Sequence, residues 1–177
     1  LPSSLALSDE WHADETVINI FGKRHYIWTL IDSETRFVLA YHLSPSREAS
    51  EAFALFNYAK SKFGQPKSIV SDRLPSYTFP VKSVFSDINH IKVKKFSDDI
   101  SNNLISNNLI EAFFSKFKAH HKAHRGLKNF NSVNSMLNAF FFFYNFIRPH
   151  GSLNNSTPAR VAGVNYSELA RKNLMLV

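Results

Sequence analysis

Residues 11–43 read WHADETVINIFGKRHYIWTLIDSETRFVLAYHL, and this stretch decides the fold. From Asp14 onward the first segment alternates polar and apolar residues. Trp11–Phe21 becomes β-rich toward its end, which predicts a strand. Gly22-Lys23 supplies a turn, and Arg24–Ile31 a second strand. Asp32-Ser33-Glu34 supplies another turn, and Thr35–Leu43 a third strand. Three strands on connections this short form an antiparallel meander.

Downstream the period changes. Ser46 is expected to cap a helix over Arg47–Phe63, with Ala52, Leu55, Phe56, Ala59 and Phe63 inward and Gly64 ending it. Lys67–Ser71 is a short apolar strand that Asp72 closes. A helical crossover leads into it, so it is expected to run parallel to a neighbour. Leu74–Phe85 reads as a Pro-interrupted helix or loop, and His90–Lys95 as a fifth strand. A polar loop, Phe96–Asn103, leads to a helix over Asn107–Arg125, which Gly126-Leu127-Lys128 breaks. A second long helix starts at Asn131 and ends before Pro149. Its apolar positions are Val133, Met136, Leu137, Phe140, Phe141, Tyr144 and Ile147. Thr157-Pro158 is an N-cap with Pro at the first helical position, opening a short helix to Ala162. Another turn of helix is expected from Ser167.

The order β-β-β-α-β-α-β-α-α predicts an α/β, ribonuclease-H-like layout. It is a mixed five-stranded sheet, a three-strand antiparallel meander plus two parallel strands, flanked by helices. Residues 1–10 read as a loose lead-in, 11–165 as the core and 166–177 as a C-terminal tail.

A chain of 177 residues with 44% hydrophobic content is long enough for one well-cored globular domain. It has no cysteine, which excludes disulfides, thiolate metal sites and a Cys nucleophile. That fits an intracellular protein of the cytoplasm or nucleoid. The greasiest run, Ala139–Tyr144, is far too short to span a bilayer, so no membrane partner is expected. The opening LPSSLALSDEW lacks the charged and apolar regions of a signal peptide. It also lacks an initiator Met, as a piece of a longer protein would. The net charge of +7 and pI near 9.7 make nucleic acid the natural partner. The 17 Phe residues fall mostly at helical or strand spacing and are better explained by core packing than by base stacking.

On the helix over 107–125, one stripe carries Glu111, Ser115, Lys118, Lys122 and Arg125, and the far side carries Leu109, Phe113 and Phe117. The polar stripe reads either as a solvated face with helix pairing or as a metal-binding carboxylate followed by phosphate contacts. Asp14, inside a strand where Asp is disfavoured, reads as an edge residue or a ligand. Asp72 reads as a turn residue or a ligand. Each ordinary reading is the better one taken singly. Together, carboxylates on neighbouring strands and on a helix packed over them suit Mg²⁺ or Mn²⁺. Glu15 should point to the opposite face from Asp14 and is not counted as a ligand. His120, His121 and His124 lack a third ligand type for zinc, and Asp98-Asp99 reads as loop.

The motifs bring these residues into one pattern. Trp11-His12-Ala13-Asp14-Glu15-Thr16 resembles the W-x-x-D-E-T motif of insertion-sequence transposases, in particular the family numbered six. Ser71–Tyr77, SDRLPSY, resembles its T-D-x-L-x-S-Y motif. Asn108–Glu111 with Lys118 resembles its third motif, a catalytic Glu with a basic residue on the same helix face. Tyr144–His150, YNFIRPH, followed by Leu153 and Thr157-Pro158-Ala159, is similar to the tail of integrase-core transposases.

The resemblance implies a retroviral-integrase-like catalytic core with a DDE triad, Asp14, Asp72 and Glu111. It implies two Mg²⁺ or Mn²⁺ ions, with Asp14 shared between them, Asp72 on one and Glu111 on the other. Water would first free a 3′-hydroxyl at the element's end, and that hydroxyl would then attack target DNA. Lys118, Lys122 and Arg125 would hold phosphates. Transposon-end and target DNA are the implied partners, bound by a homodimer or higher assembly. The family's helix-turn-helix domain is not seen in this chain, so end recognition is expected to be missing or to lie outside it.

One departure sits beside the triad. Ser101–Ile105 and Ser106–Ile110 both read SNNLI. Between Asp72 and Glu111 stand 38 residues, and 33 without one copy, which is close to the family's interval. A loop tolerates such a duplication most easily. The alternative expectation is a DNA-binding remnant whose site the duplication has spoiled.

Overall fold

The computed structural model describes residues 5–93, 114, 115, 117 and 130–164. The meander is present. Strand β1 (Glu10–Ile20) pairs antiparallel with β2 (Lys23–Asp32), which pairs antiparallel with β3 (Val38–Ser44). The first hairpin turns one residue earlier than expected, because Ile20 pairs with Lys23 and leaves a two-residue loop of Phe21 and Gly22. Both have positive φ, 50° and 73°, as a tight turn matching the strand twist requires. Gly22 adopts this freely. Phe21 does so as an exposed bulky residue.

Helix α1 (Ala49–Phe63) then crosses over to β4 (Ser68–Asp72), and α2 (Pro75–Val84) to β5 (Asn89–Val93). The sheet order is β3-β2-β1-β4-β5, with β4 parallel to both β1 and β5. Gly64 ends α1 at φ 81° with its N–H on the Lys60 carbonyl. The N-terminus differs from expectation: the N-cap is Glu48, with no side-chain cap. The Ser46 hydroxyl instead donates to Glu51 Oε1 at 2.9 Å. Leu74–Phe85 resolves into a helix that carries Pro80 inside it.

Helix α3 (Phe130–Phe142) passes into one π-helical stretch, Phe143–Ile147, and α4 (Pro158–Val161) starts at the expected Thr157 N-cap, whose Oγ1 accepts from Arg160 N–H. The wider turn aims Asn145 at the outer edge of the sheet. There its Oδ1 accepts from Val38 N–H and its Nδ2 donates to Val38 O, both at 2.9 Å.

Two cores follow from strand alternation. On one face Trp11, Ala13, Trp28, Leu39 and Ile69 pack with α1, α2 and Ala159. On the other, Ile18, Ile20, Ile27 and Ile31 pack with Val133, Leu137, Phe140 and Phe141 of α3. Helical Phe114 and Phe117 join this second core, with Phe117 edge-on to Phe140 at 5.1 Å, while helical Ser115 is exposed. Phe117 and Ser115 thus take the apolar and polar sides expected of them.

The lead-in is docked rather than loose from residue 5. Ala6 N–H bonds Ala162 O, and Asp9 O accepts from Lys67 and Ser68 N–H. Ser8 N–H and hydroxyl both donate to Asp32 Oδ1 at 2.7 Å, while Thr35 N–H and hydroxyl donate to Oδ2. Four donors satisfy a fully buried carboxylate, which is what its burial demands. Asp32 is therefore a structural acid. Among the described residues no helix is long and apolar enough to cross a membrane.

Candidate active site

The site grows out of the β1–β4 seam. The parallel register runs Glu10↔Ser68 to Ala13↔Ser71. Asp14 and Asp72 are the next residues on each strand, so they leave the seam side by side and on one face. Asp72 also makes its turn: Oδ1 accepts from Leu74 N–H at 2.9 Å, ahead of Pro75 at the first position of α2. The turn and ligand readings of Asp72 are compatible, because one oxygen serves each.

Oxygens of Asp14, Glu15 and Asp72 all lie within 4.8 Å of one another. Asp14 and Glu15 are buried, at 8% and 5% exposure, and Asp72 is half-buried. Alternation does place Glu15 on the α1–α2 side, where Tyr77 and Arg47 meet it. Alternation separates the Cβ atoms of neighbours, not the ends of their carboxylates, and Glu15 still reaches its companions.

Both Glu15 oxygens are engaged. Arg47 donates to Oε1 from Nε at 2.9 Å and also from an Nη, and Tyr77 Oη–H donates to Oε2 at 2.7 Å. The carboxylate is 2% exposed and the guanidinium side chain 43%. Burial lowers the Arg47 pKa, but the Glu15 hydrogen bond and charge and the Asp72 charge outweigh it and leave it raised. Burial, then the charges of Glu15 and Asp14, the Glu15 hydrogen bond and the charge of Asp72, push the Tyr77 hydroxyl well above its ordinary value. It stays protonated and donates. Ser76 Oγ donates to Arg47 O at 2.8 Å, which ties α2 to the loop that carries Arg47.

The residues fit a divalent cation of the hard kind. The donor set is all oxygen. Directly across from Asp14 in the β1–β2 ladder stands Thr29, fully buried, whose Oγ1 has no hydrogen-bond partner among the described residues. A cross-strand neighbour shares its partner's face, so this hydroxyl lies on the same side of the sheet as Asp14.

Glu111, Lys118, Lys122 and Arg125 lie outside the described residues, as do His120, His121, His124, Asp98, Asp99 and both SNNLI copies. Of the triad, the structure brings together Asp14 and Asp72. Sequence reasoning missed Arg47 and Thr29 entirely. Neither carries a local signal: one reads as the first residue of a helix, the other as an ordinary strand residue. Tyr77 lay in plain view in the second motif, without a role. The His150 of the tail motif is buried and packs edge-on to Tyr144 at 4.5 Å, so it belongs to the scaffold.

Residues 8–150 match the IS240-type transposase family described as the DDE domain. The transposase for the insertion sequence-like element IS431mec, from Staphylococcus aureus strain Mu50, is 33% identical over 102 residues, covering 58% of this chain and 43% of that protein. The transposase for IS257 in transposon Tn4003, from Staphylococcus aureus, matches to the same extent. The aligned part is thus less than half the length of these relatives. Among solved structures, the HTLV-2 integrase catalytic core in complex with magnesium superposes with a TM-score of 0.61 at 13% identity, over 89% of this chain and 98% of that one. The BIV integrase catalytic core gives 0.65 at 17% identity, over 96% and 99%. At such identities the likeness establishes the fold: a mixed sheet with flanking helices, as in retroviral integrase catalytic cores.

Proposed function

Because this chain belongs to the DDE-domain family of IS240-type transposases, we propose that it is the catalytic domain of a transposase of the insertion-sequence family numbered six. Its reaction is metal-dependent cleavage and strand transfer of DNA. The observation that carries this reading is the convergence of Asp14 and Asp72 at the β1–β4 seam of a chain matched to that family over residues 8–150.

Asp14, Asp72 and Glu111 would hold two Mg²⁺ or Mn²⁺ ions. Bound there, such ions activate the attacking oxygen and stabilise the leaving one. Water attack at the element's end frees a 3′-hydroxyl, which then attacks target DNA. Lys118, Lys122 and Arg125 hold phosphates along the helix stripe. The partners are transposon-end and target DNA, engaged by a homodimer or higher assembly inside the cell. Residues 11–165 form the integrase-like catalytic core, with 1–10 as lead-in and 166–177 as tail.

The test is strand transfer from an oligonucleotide carrying the element's end, in Mn²⁺, by the wild type, Asp14→Asn and Glu111→Gln. Transfer by wild type alone supports the reading, and transfer by either variant removes that residue from the ligand set. A second reading is favoured by the SNNLI duplication just before Glu111: a DNA-binding remnant without catalysis. It predicts DNA binding by the wild type with no cleavage under any divalent ion.

A further inference from the structure

Three carboxylates gather here, yet the third differs from the other two. Glu15 is almost wholly buried, and both of its oxygens are already satisfied, one by the Arg47 guanidinium and one by the Tyr77 hydroxyl. A buried carboxylate within 4.8 Å of two others would normally be drawn onto any divalent cation they hold. Arg47 and Tyr77 compete for those same oxygens.

We propose that Arg47 and Tyr77 clamp Glu15 out of the metal site, so that Glu15 positions the loop before α1 and the start of α2 against β1 without ligating an ion. This rests on the metal-site reading above. The clamp has an electrostatic consequence. The Glu15–Arg47 pair is neutral and leaves the cation facing Asp14 and Asp72. Loss of Arg47 would expose the cation to one further, unneutralised carboxylate, beyond those proposed to hold it. The ion would bind more tightly, and the acid would be free to close on it. Arg47 is therefore a positioning residue that sets the affinity and composition of the site. Its fork is suited to this: the guanidinium holds Glu15 through two N–H groups, and its raised pKa keeps it charged throughout the working pH range. Tyr77 contributes the complementary restraint from α2, held protonated by its burial.

The experiment is Mn²⁺ binding by the full chain, followed by calorimetry and by the electron paramagnetic resonance of free Mn²⁺, with no turnover involved. Four variants are compared with wild type: Arg47→Met, the double variant Glu15→Gln/Arg47→Met, Tyr77→Phe and Asp72→Asn. Arg47→Met should tighten Mn²⁺ binding by about tenfold or more, since it adds one uncompensated charge a few Å from the ion. The double variant should return to within about threefold of wild type, because a neutral pair replaces a neutral pair. Asp72→Asn should lose binding.

If the double variant binds as weakly as Asp72→Asn, Glu15 is a ligand and the clamp is wrong. An unchanged affinity in Arg47→Met overturns the clamp while leaving the metal site intact. A wild type that binds no Mn²⁺ overturns the metal-site reading itself. Should Arg47→Met fail to fold, Tyr77→Phe decides: loss of one hydroxyl should still tighten binding about two- to threefold. An unchanged affinity there counts against the clamp.

Discussion

Asn145 closes the outer edge of the sheet by pairing with both backbone groups of Val38, 107 residues earlier in the chain. A primary amide carries its donor and its acceptor on separate atoms, so it can meet a backbone acceptor and donor side by side. The π-helical stretch Phe143–Ile147 supplies the rotation that aims it there. Asn145→Ala should leave a buried N–H and C=O on Val38 without partners and cost about 2–4 kcal/mol, measured by urea unfolding. Asn145→Asp keeps the acceptor and loses the donor, and should cost about as much. A variant within about 0.5 kcal/mol of wild type would mean that water replaces the amide at this edge.

The meander, the parallel β4 and the Thr157 cap were legible in the sequence because each has a local period or a turn chemistry. The π-helical stretch was not, because Phe140–Ile147 is apolar on nearly every side and masks a change of pitch. Ser46 misled as a cap, since a hydroxyl near a helix start can find a carboxylate as readily as an N–H. Here it finds Glu51. The docking of residues 5–9 depends on Asp32, which looks from sequence like a plain turn residue. The site was half legible: the motifs marked Asp14 and Asp72. The partners of Glu15 come from positions 47 and 77, which only the folded chain brings together.

Asp72→Asn should abolish strand transfer while leaving the melting temperature at or above that of wild type. Asparagine keeps an oxygen for Leu74 N–H, so the turn into α2 survives. It also removes one of the clustered negative charges. Calorimetric melting in EDTA checks the stability, and the strand-transfer assay checks the chemistry. A large drop in melting temperature would make Asp72 chiefly a structural residue.

His90 should give the fold a pH dependence below neutrality. Burial, then the charges of Lys92 and Lys82, lower its pKa from 6.5 to about 4. Between those values the unfolded chain binds more protons at this residue than the folded one, so stability rises with pH. The contribution is present above pH 6.5 and is lost as pH falls toward about 4. The neutral ring bonds Ser71 Oγ, beside Asp72, at 2.8 Å. His90→Gln should flatten the stability profile between pH 4 and 6.5, followed by urea midpoints across that window. A profile as steep as that of wild type would assign the slope to another group.

Lys118→Ala tests the proposed phosphate ladder. If Lys118 neutralises one phosphate, its removal should weaken DNA binding roughly equally for all sequences. The slope of log affinity against log salt should flatten by about one unit. Fluorescence anisotropy across a salt series reads both quantities. An unchanged slope would place Lys118 on the solvated face of its helix.

Deletion of Ser101–Ile105 separates the active transposase from the remnant. Five residues added within a helix turn everything beyond them by about 140° after one full rotation, at about 100° per residue. Both copies precede Glu111 and Lys118, so such a turn would leave these two in register with each other and re-aim them together against whatever lies before the repeat. Added to a loop, the same residues change only its length, at a small entropic cost. Among the described residues beyond the repeat, helical Ser115 is exposed and Phe117 buried, the sides expected of them. The deletion should therefore retain strand transfer if the wild type has it. If the wild type is inactive and the deletion variant active, the duplication is the lesion and the remnant reading holds. Loss of activity on deletion would mean that the added residues have become part of the site's support.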